Sequence, residues 1–373
     1  MARKKEETKL SQEELESKFD LEKNNKSDKK PVLFSEKKDW DLQKYKKTKV
    51  VQANYKPISF VKMGDAFQEI TGFPGFPEGF IHMIYGASDV GKTTALLEAA
   101  YHAQKEGKLP IFIITEKKWS WERATKMGII EEETIFEDNL SFIEEACDKI
   151  NSYLEDQRSG NLPRDIVFLW DALGSTPSRA EWKAQEEHEE LVRKTLEAGG
   201  DISELAKGSG GMMTANRVVR EKIGRFLQHK ITATRNADYP YNATLIIINH
   251  GYISPSPTGV ASLVPYCGAA LKYSLAFQIR QGKVSGTPKK HTATKDGVDV
   301  TWGLEVPFIF EKNHINGISR EGNVIVTPHG YILATKDSIE KYKKEHREEW
   351  SDDFEKYYQD DAELEDNEQA ELD

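Results

Sequence analysis

The run Gly86-Ala87-Ser88-Asp89-Val90-Gly91-Lys92-Thr93 constrains this chain more than any other feature. It has the G-x-x-x-x-G-K-T spacing of a phosphate-binding loop. The setting agrees with the letters. Ile81-His82-Met83-Ile84-Tyr85 before it is a short apolar run suited to a buried strand. Thr94-Ala95-Leu96-Leu97-Glu98-Ala99-Ala100 after it is a strong helix former. The chemistry requires that order. Glycines let the backbone curl so that successive N–H groups face phosphate oxygens, and the helix N-terminus adds positive potential. Lys92 is expected to reach the β- and γ-phosphates of a nucleoside triphosphate, and Thr93 to give its hydroxyl to Mg²⁺.

Strands and helices alternate from residue 80 onward. Ile111–Thr115, Ile166–Trp170 and Thr244–Ile248 are further continuous apolar runs of strand length, as strands covered on both faces should be. The expected class is α/β, with a mainly parallel central sheet flanked by helices. Leu304–Phe310 and Asn323–Val326 read as additional, antiparallel strands, and Arg179–Leu196 as a charged helix.

Three strands end in groups that phosphoryl transfer needs. Asp171 follows Ile166–Trp170, an apolar strand that delivers a carboxylate to the sheet edge beside the loop, where it can hold the metal with Thr93. Glu116 follows Ile111–Thr115, where a carboxylate can polarise the attacking water as a general base. Asn249 and His250 end the fourth strand and are expected to face the γ-phosphate and signal its presence to the next loop. Local pattern alone also admits a loop aspartate, a solvated glutamate and a satisfied loop histidine at these places.

Charge matters here because it is concentrated at the ends. The chain has 373 residues, enough for one large domain or two small ones, and a net charge of −10. Residues 351–373 carry 11 acidic side chains and one Lys, a net of −10, so residues 1–350 are neutral overall. An acidic excess confined to a tail does not exclude nucleic acid as a partner. The expected organisation is a charged N-terminal arm (1–54), a core (55–336), and a charged helix with a disordered acidic tail (337–373). Val32-Leu33-Phe34 in the arm either docks on a neighbouring subunit or packs on its own domain. Cys147 and Cys267 lack metal-type spacing and read as ordinary thiols of a reducing compartment. No run of 18 apolar residues and no apolar leader occurs, so a cytoplasmic location with no membrane partner is expected.

Taken in order, these pieces resemble the RecA family of recombinases, most nearly its phage UvsX branch. Beyond the loop, Glu116 and Asp171, the resemblance rests on Trp121–Ile129, on Phe168–Ser175, and on Ile246–His250, with Asn-His where bacterial RecA has Asn-Gln. Cys267–Tyr273 and Phe310-Glu311-Lys312-Asn313-His314 complete it, so that it spans roughly residues 55–330. It implies a RecA-like P-loop ATPase core with ATP and Mg²⁺ as cofactors. ATP would be held by Gly86 to Thr93 with Thr94, and the metal by Thr93 and Asp171. Lys92, Glu116, Asn249 and His250 would be catalytic, and Lys312 and His314 would reach the ATP of the adjacent subunit.

The resemblance also implies two DNA-binding loops. The first, near Lys207–Met213, carries the apolar pair Met212 and Met213 and leads into a helix whose Arg217 and Arg225 would contact phosphates. The second runs from Gly251 to Cys267, and Gly268 and Ala269 would offer backbone N–H groups to phosphate. The implied activity is that of a DNA-dependent ATPase. It would form helical filaments on single-stranded DNA and exchange strands with homologous duplex DNA in recombination and repair. A single-strand-binding protein or a filament loader is an implied partner, and a phage-encoded chain would act in the host cytoplasm. Three features depart from the family pattern. His314 replaces a second basic residue, the stretch between Asp171 and Gly211 is long, and the family's C-terminal domain is reduced to a charged segment and the tail. The tail reads as solubilising, DNA-mimicking or partner-docking. Two rival activities share the loop and its acids: a ring-forming replicative helicase, and a nucleotide-gated DNA-binding regulator with little hydrolysis.

Overall fold

The computed structural model describes residues 54–199, 224–254, 261–266, 269–284 and 286–350. The N-terminal arm, Met212, Met213, Arg217, Gly268 and the acidic tail lie outside the described residues. The described part opens on a small pair of antiparallel strands, β1 (Phe60–Lys62) and β2 (Gly75–Pro77), joined through α1 (Asp65–Thr71). The alternating part follows: β3 (Ile81–Gly86), α2 (Lys92–Lys105), β4 (Leu109–Ile114), α3 (Trp121–Lys126), β5 (Ile135–Glu137), α4 (Ile143–Ser159) and β6 (Ile166–Asp171). Next come α5 (Arg179–Glu197) and α6 (224–233). The remainder comprises β7 (Ala243–Ser254), β8 (Ser262–Pro265), α7 (Ala269–Ser274), β9 (Leu275–Gln281), β10 (Lys289–Lys295), β11 (Val298–Asn313), β12 (Arg320–Thr327), β13 (Gly330–Leu333), α8 (Lys336–Glu345) and α9 (Arg347–Trp350).

Among the described residues eleven strands form one sheet in the order β13-β12-β11-β9-β3-β7-β6-β4-β5, with β10 on β11 and β8 on β7. From β9 to β5 neighbouring strands are parallel, and from β9 to β13 they are antiparallel. The expected class and the expected antiparallel strands are therefore observed. Among the described residues no helix is long and apolar enough to cross a membrane.

Alternation along each strand sorts its side chains between two covered faces. Ile84, Phe112, Ile114, Leu169, Ile246 and Ile248 join the core beneath α2. Met83, Tyr85, Ile113, Phe168, Trp170 and Ile247 join the core beneath α4 and α6. α2 buries Ala95, Ala99, Ala100 and Ala103 together with Leu96 and Leu97, so the helix seats closely on the sheet. α5 begins at a capping box, in which Ser178 Oγ accepts from Glu181 N and the Glu181 carboxylate accepts from Ser178 N; none of its residues is buried.

One boundary differs from the sequence reading. The segment after His250 is expected to be a loop, yet β7 continues to Ser254 and pairs antiparallel with β8, from Gly251 with Pro265 to Ser254 with Ser262. Tyr252 and Ile253 favour extended backbone, and this outweighs the Ser/Pro/Gly content of the segment. At the other end of the sheet, Tyr342 of α8 is buried and stacks on Trp302 of β11, with ring centroids 5.3 Å apart.

Candidate functional site

The phosphate loop leaves the C-terminal end of β3 and turns into α2. Two of its glycines are required by the packing. A Cβ on Gly86 would lie 2.0 Å from the Gln281 carbonyl oxygen. Gly91 adopts φ 86°, and a Cβ there would lie 2.4 Å from Val326. The loop is also clamped from outside. Tyr331 donates its hydroxyl to Gly91 O (2.9 Å) and Gln281 Oε1 (3.0 Å), and Gln281 Nε2 donates to Val90 O.

Around the loop lies a cleft of about 250 Å³, lined by Ser88, Asp89, Gly91, Lys92, Thr93, Ile114, Glu116, Lys118, Trp119, Arg123, Asp171, Ile248 and His250. Lys92 is buried, and its ammonium donates to Ala87 O and Gly86 O. Burial pulls its pKa below the ordinary lysine value, against the pull of Asp171, Glu116 and Asp89. Thr93 Oγ1 donates to Asp171 Oδ2 at 2.7 Å. Burial raises the Asp171 carboxyl above its usual range, and the Thr93 bond opposes that. A hydroxyl and a carboxylate side by side at a phosphate loop suit Mg²⁺, a hard cation that prefers oxygen.

Across the cleft, His250 Nε2 and Glu116 Oε1 are 2.5 Å apart. That hydrogen bond is the main reason the Glu116 carboxyl is held down to about 2, with Ser175 assisting. Glu116, Asp171 and His250 reach the cleft for one reason. Each has the same parity as residues of its own strand that pack beneath α2: Ile114 for Glu116, Leu169 for Asp171, Ile248 for His250.

The same parity turns Asn249 away. Its side chain is fully buried on the opposite face, where Nδ2 donates to Tyr266 O at 3.1 Å and Oδ1 accepts from His250 N at 2.9 Å. The expectation that Asn249 faces the triphosphate alongside His250 is corrected by this placement. Gly86, Ala87, Val90 and Thr94 do not line the cleft with side chains; Thr94 is buried, and its hydroxyl accepts from Arg123 Nη2.

Lys312 and His314 do not line this chain's own cleft either. Lys312 Nζ donates to Lys272 O (2.8 Å) and Tyr273 O (3.0 Å) at the end of α7, and His314 N donates to Ala276 O. Arg225 is exposed on α6, and Ala269 opens α7.

Sequence reasoning missed Lys118, Trp119 and Arg123. Trp119 packs on Phe112 and Phe136, with ring centroids 4.6 and 5.0 Å away, and this draws the segment after β4 over the cleft. Its indole N–H is buried without a hydrogen-bond partner among the described residues. The aromatic pattern Trp119-Ser120-Trp121 was the available signal. A second groove shares Asp89, Gly91 and Arg123 with the cleft and runs between Trp302, Leu304, Val326 and Pro328.

Comparison with known proteins adds a family context. Residues 41–164 match the RecA N-terminal domain, a span that holds the phosphate loop, α2 and Glu116. The chain is 27% identical over 193 residues to Protein RecA of Acidothermus cellulolyticus, an alignment covering 51% of this chain and 54% of that protein. It is 28% identical over 174 residues to Protein RecA of Corynebacterium diphtheriae, covering 46% of this chain and 45% of that one. With Protein RecA of Wigglesworthia glossinidia brevipalpis it shares 27% identity over 270 residues, covering 68% of each. The chain thus spans about half the length of the first two relatives and about two thirds of the third. At low identity this chain is similar to bacterial RecA proteins, and the matching RecA N-terminal domain ends at residue 164.

Proposed function

We propose that the chain is a RecA-family recombinase of the UvsX-like kind: a DNA-dependent ATPase that assembles as a helical filament on single-stranded DNA and exchanges strands with a homologous duplex. The observation that carries this reading is the meeting of Lys92, the Thr93–Asp171 pair and the Glu116–His250 pair on one face, with a hairpin starting at the residue after His250.

Lys92 and the loop N–H groups bind the phosphates of ATP, and Thr93 and Asp171 would hold Mg²⁺, which supplies charge neutralisation at the β- and γ-phosphates. Glu116 orients the attacking water and takes its proton. Held by His250, it is a weak base, because a carboxyl near 2 has little proton affinity at neutral pH. A γ-phosphate that draws His250 Nε2 to itself releases Glu116 and raises its basicity. The same movement reaches the hairpin through Gly251, so ATP and DNA strengthen each other's binding. The second groove, apolar and adjoining the cleft, suits the nucleotide base. Lys312, absent from its own cleft, serves the ATP of the next subunit, with His314 beside it.

The test pairs hydrolysis with imaging. Wild-type protein should hydrolyse ATP faster with single-stranded DNA, Lys92→Ala should lose nucleotide binding, and Glu116→Gln should bind ATP but turn over roughly 10²-fold or more slowly. Closed rings with fork unwinding, in place of helical filaments with a non-hydrolysable ATP analogue, would move the chain to the helicase class. ATP binding without DNA-stimulated turnover would make it a nucleotide-gated binder.

A further inference from the structure

We propose that His329, His346 and Glu349 form a binding site for a divalent transition-metal ion of the zinc class, joining the C-terminal helices to the sheet. His329 lies in the turn between β12 and β13, His346 closes α8, and Glu349 lies in α9. One donor atom from each lies within 4.8 Å of the others. Glu349 Oε1 is 3.3 Å from His329 Nε2 and 3.4 Å from His346 Nδ1. Two ligands bound to zinc at its usual bond lengths and a tetrahedral angle are themselves about 3.4 Å apart.

The surroundings orient these donors. His329 Nδ1 is 3.0 Å from the Tyr342 hydroxyl. With the proton on Nδ1 donated to that oxygen, the lone pair sits on Nε2, the nitrogen facing Glu349. A hydrogen bond of this kind fixes the tautomer and the ring direction of metal-binding histidines. Tyr342 is itself held by its stack on Trp302. Lys126 Nζ lies 2.8 Å from Glu349 Oε2, which leaves Oε1 to face the two rings.

The His329 and His346 rings stack at 3.8 Å with 15° between their planes. Two imidazolium cations at that spacing repel. The stack therefore disfavours charging both rings, and the neutral ring is the form that binds metal. Stacked rings aim their lone pairs side by side, so binding turns one ring about its Cβ–Cγ bond until both meet the ion. Three protein donors leave a fourth position for water. Two imidazoles favour zinc-class ions over Mg²⁺, which distinguishes this site from the oxygen pair of Thr93 and Asp171.

The full chain, freed of metal by a chelator and kept in excess Mg²⁺, is titrated with Zn²⁺ by calorimetry and with Co²⁺ by visible absorption. One ion per chain should bind in the micromolar range or tighter, with the intense visible bands of four-coordinate Co²⁺ and a rise in melting temperature. His346→Gln and Glu349→Gln should each weaken binding at least about tenfold and remove that rise. Tyr342→Phe keeps every ligand and should weaken binding about tenfold through the lost outer hydrogen bond. His188→Ala on α5 should change nothing. Should His346→Gln fail to fold, Glu349→Gln and Tyr342→Phe read the same site. Absence of stoichiometric binding, or binding that Glu349→Gln and His346→Gln leave intact, overturns the proposal.

Discussion

Glu98 offers a test of how α2 is anchored behind the phosphate loop. Its carboxylate is buried and accepts two backbone N–H bonds, Oε1 from Gly64 at 2.7 Å and Oε2 from Tyr331 at 3.0 Å. Burial nevertheless pushes the carboxyl up to about 7, from an ordinary 4.5. The folded state therefore prefers the neutral form. That preference stabilises the fold fully below the unfolded value of 4.5 and is lost as pH rises through about 7. An interval of about 2.5 pH units corresponds to about 3 kcal/mol. Glu98→Gln cannot ionise, so it abolishes this pH dependence. It also turns an amide NH₂ toward one of the two backbone donors, which costs about 1–3 kcal/mol at every pH. The two effects oppose each other. Near pH 5 wild type should be the more stable by about 1–3 kcal/mol, and by about pH 8 the difference should vanish or reverse as wild type loses its own advantage. Urea unfolding followed by circular dichroism at four pH values between those limits measures the difference directly. A gap that stays constant, or widens with pH, would refute the argument: Glu98 would then be ionised throughout, with its two N–H donors sufficing to hold the charge.

Three further outcomes are expected. Tyr331→Phe removes the donor to Gly91 O and Gln281 Oε1 and should cost about 1–3 kcal/mol of stability while weakening ATP binding; a fluorescent-nucleotide titration with unchanged affinity would show the outer clamp to be idle. Lys312→Ala and Glu116→Gln subunits, each poorly active alone, should recover DNA-stimulated hydrolysis when mixed, since one intact site forms where complementary faces meet. No recovery in mixtures shown to co-assemble would place Lys312 outside the neighbour's site. Deleting residues 351–373 strips a net −10 and should raise duplex-DNA affinity most at low salt, where screening is weakest, and equal affinities at two salt concentrations would leave the tail without that role.

Four of the parallel strands, β3, β4, β6 and β7, are legible because each contains a continuous apolar run of strand length, whereas β5 is only three residues long and β9 is interrupted by Gln278 and Arg280; the phosphate loop is legible because its spacing sits between such a run and an alanine-rich helix. Glu116, Asp171 and His250 follow from the same runs, each two residues beyond a core residue of its strand: Ile114, Leu169 and Ile248. Asn249 is misplaced by treating the strand's end as a pair, although alternation alone separates it from His250. The length of β7 escapes because Gly251 and the prolines beyond look like a loop, while the pairing that extends the strand comes from β8, beyond an intervening segment. Arg123, Gln281 and Tyr331 reach the loop and the start of α2 through tertiary packing, and no local spacing announces them. The same holds for His329, His346 and Glu349, which meet only because Tyr342 seats α8 on Trp302.

The opposite outlook of Asn249 and His250 constrains how this part of the gene can vary. Adding or deleting one residue between Ile246 and Asn249 would hand the amide to the cleft face beneath α2 and the imidazole to the face beneath α4 and α6, exchanging their surroundings without altering either side chain. Substitutions here change one chemistry at a time, whereas a single-codon insertion or deletion scrambles both. Viable length changes within β7 should therefore come in pairs of residues or be displaced to 255–260, beyond its end, so that an alignment of working variants would show this strand free in letters and rigid in count.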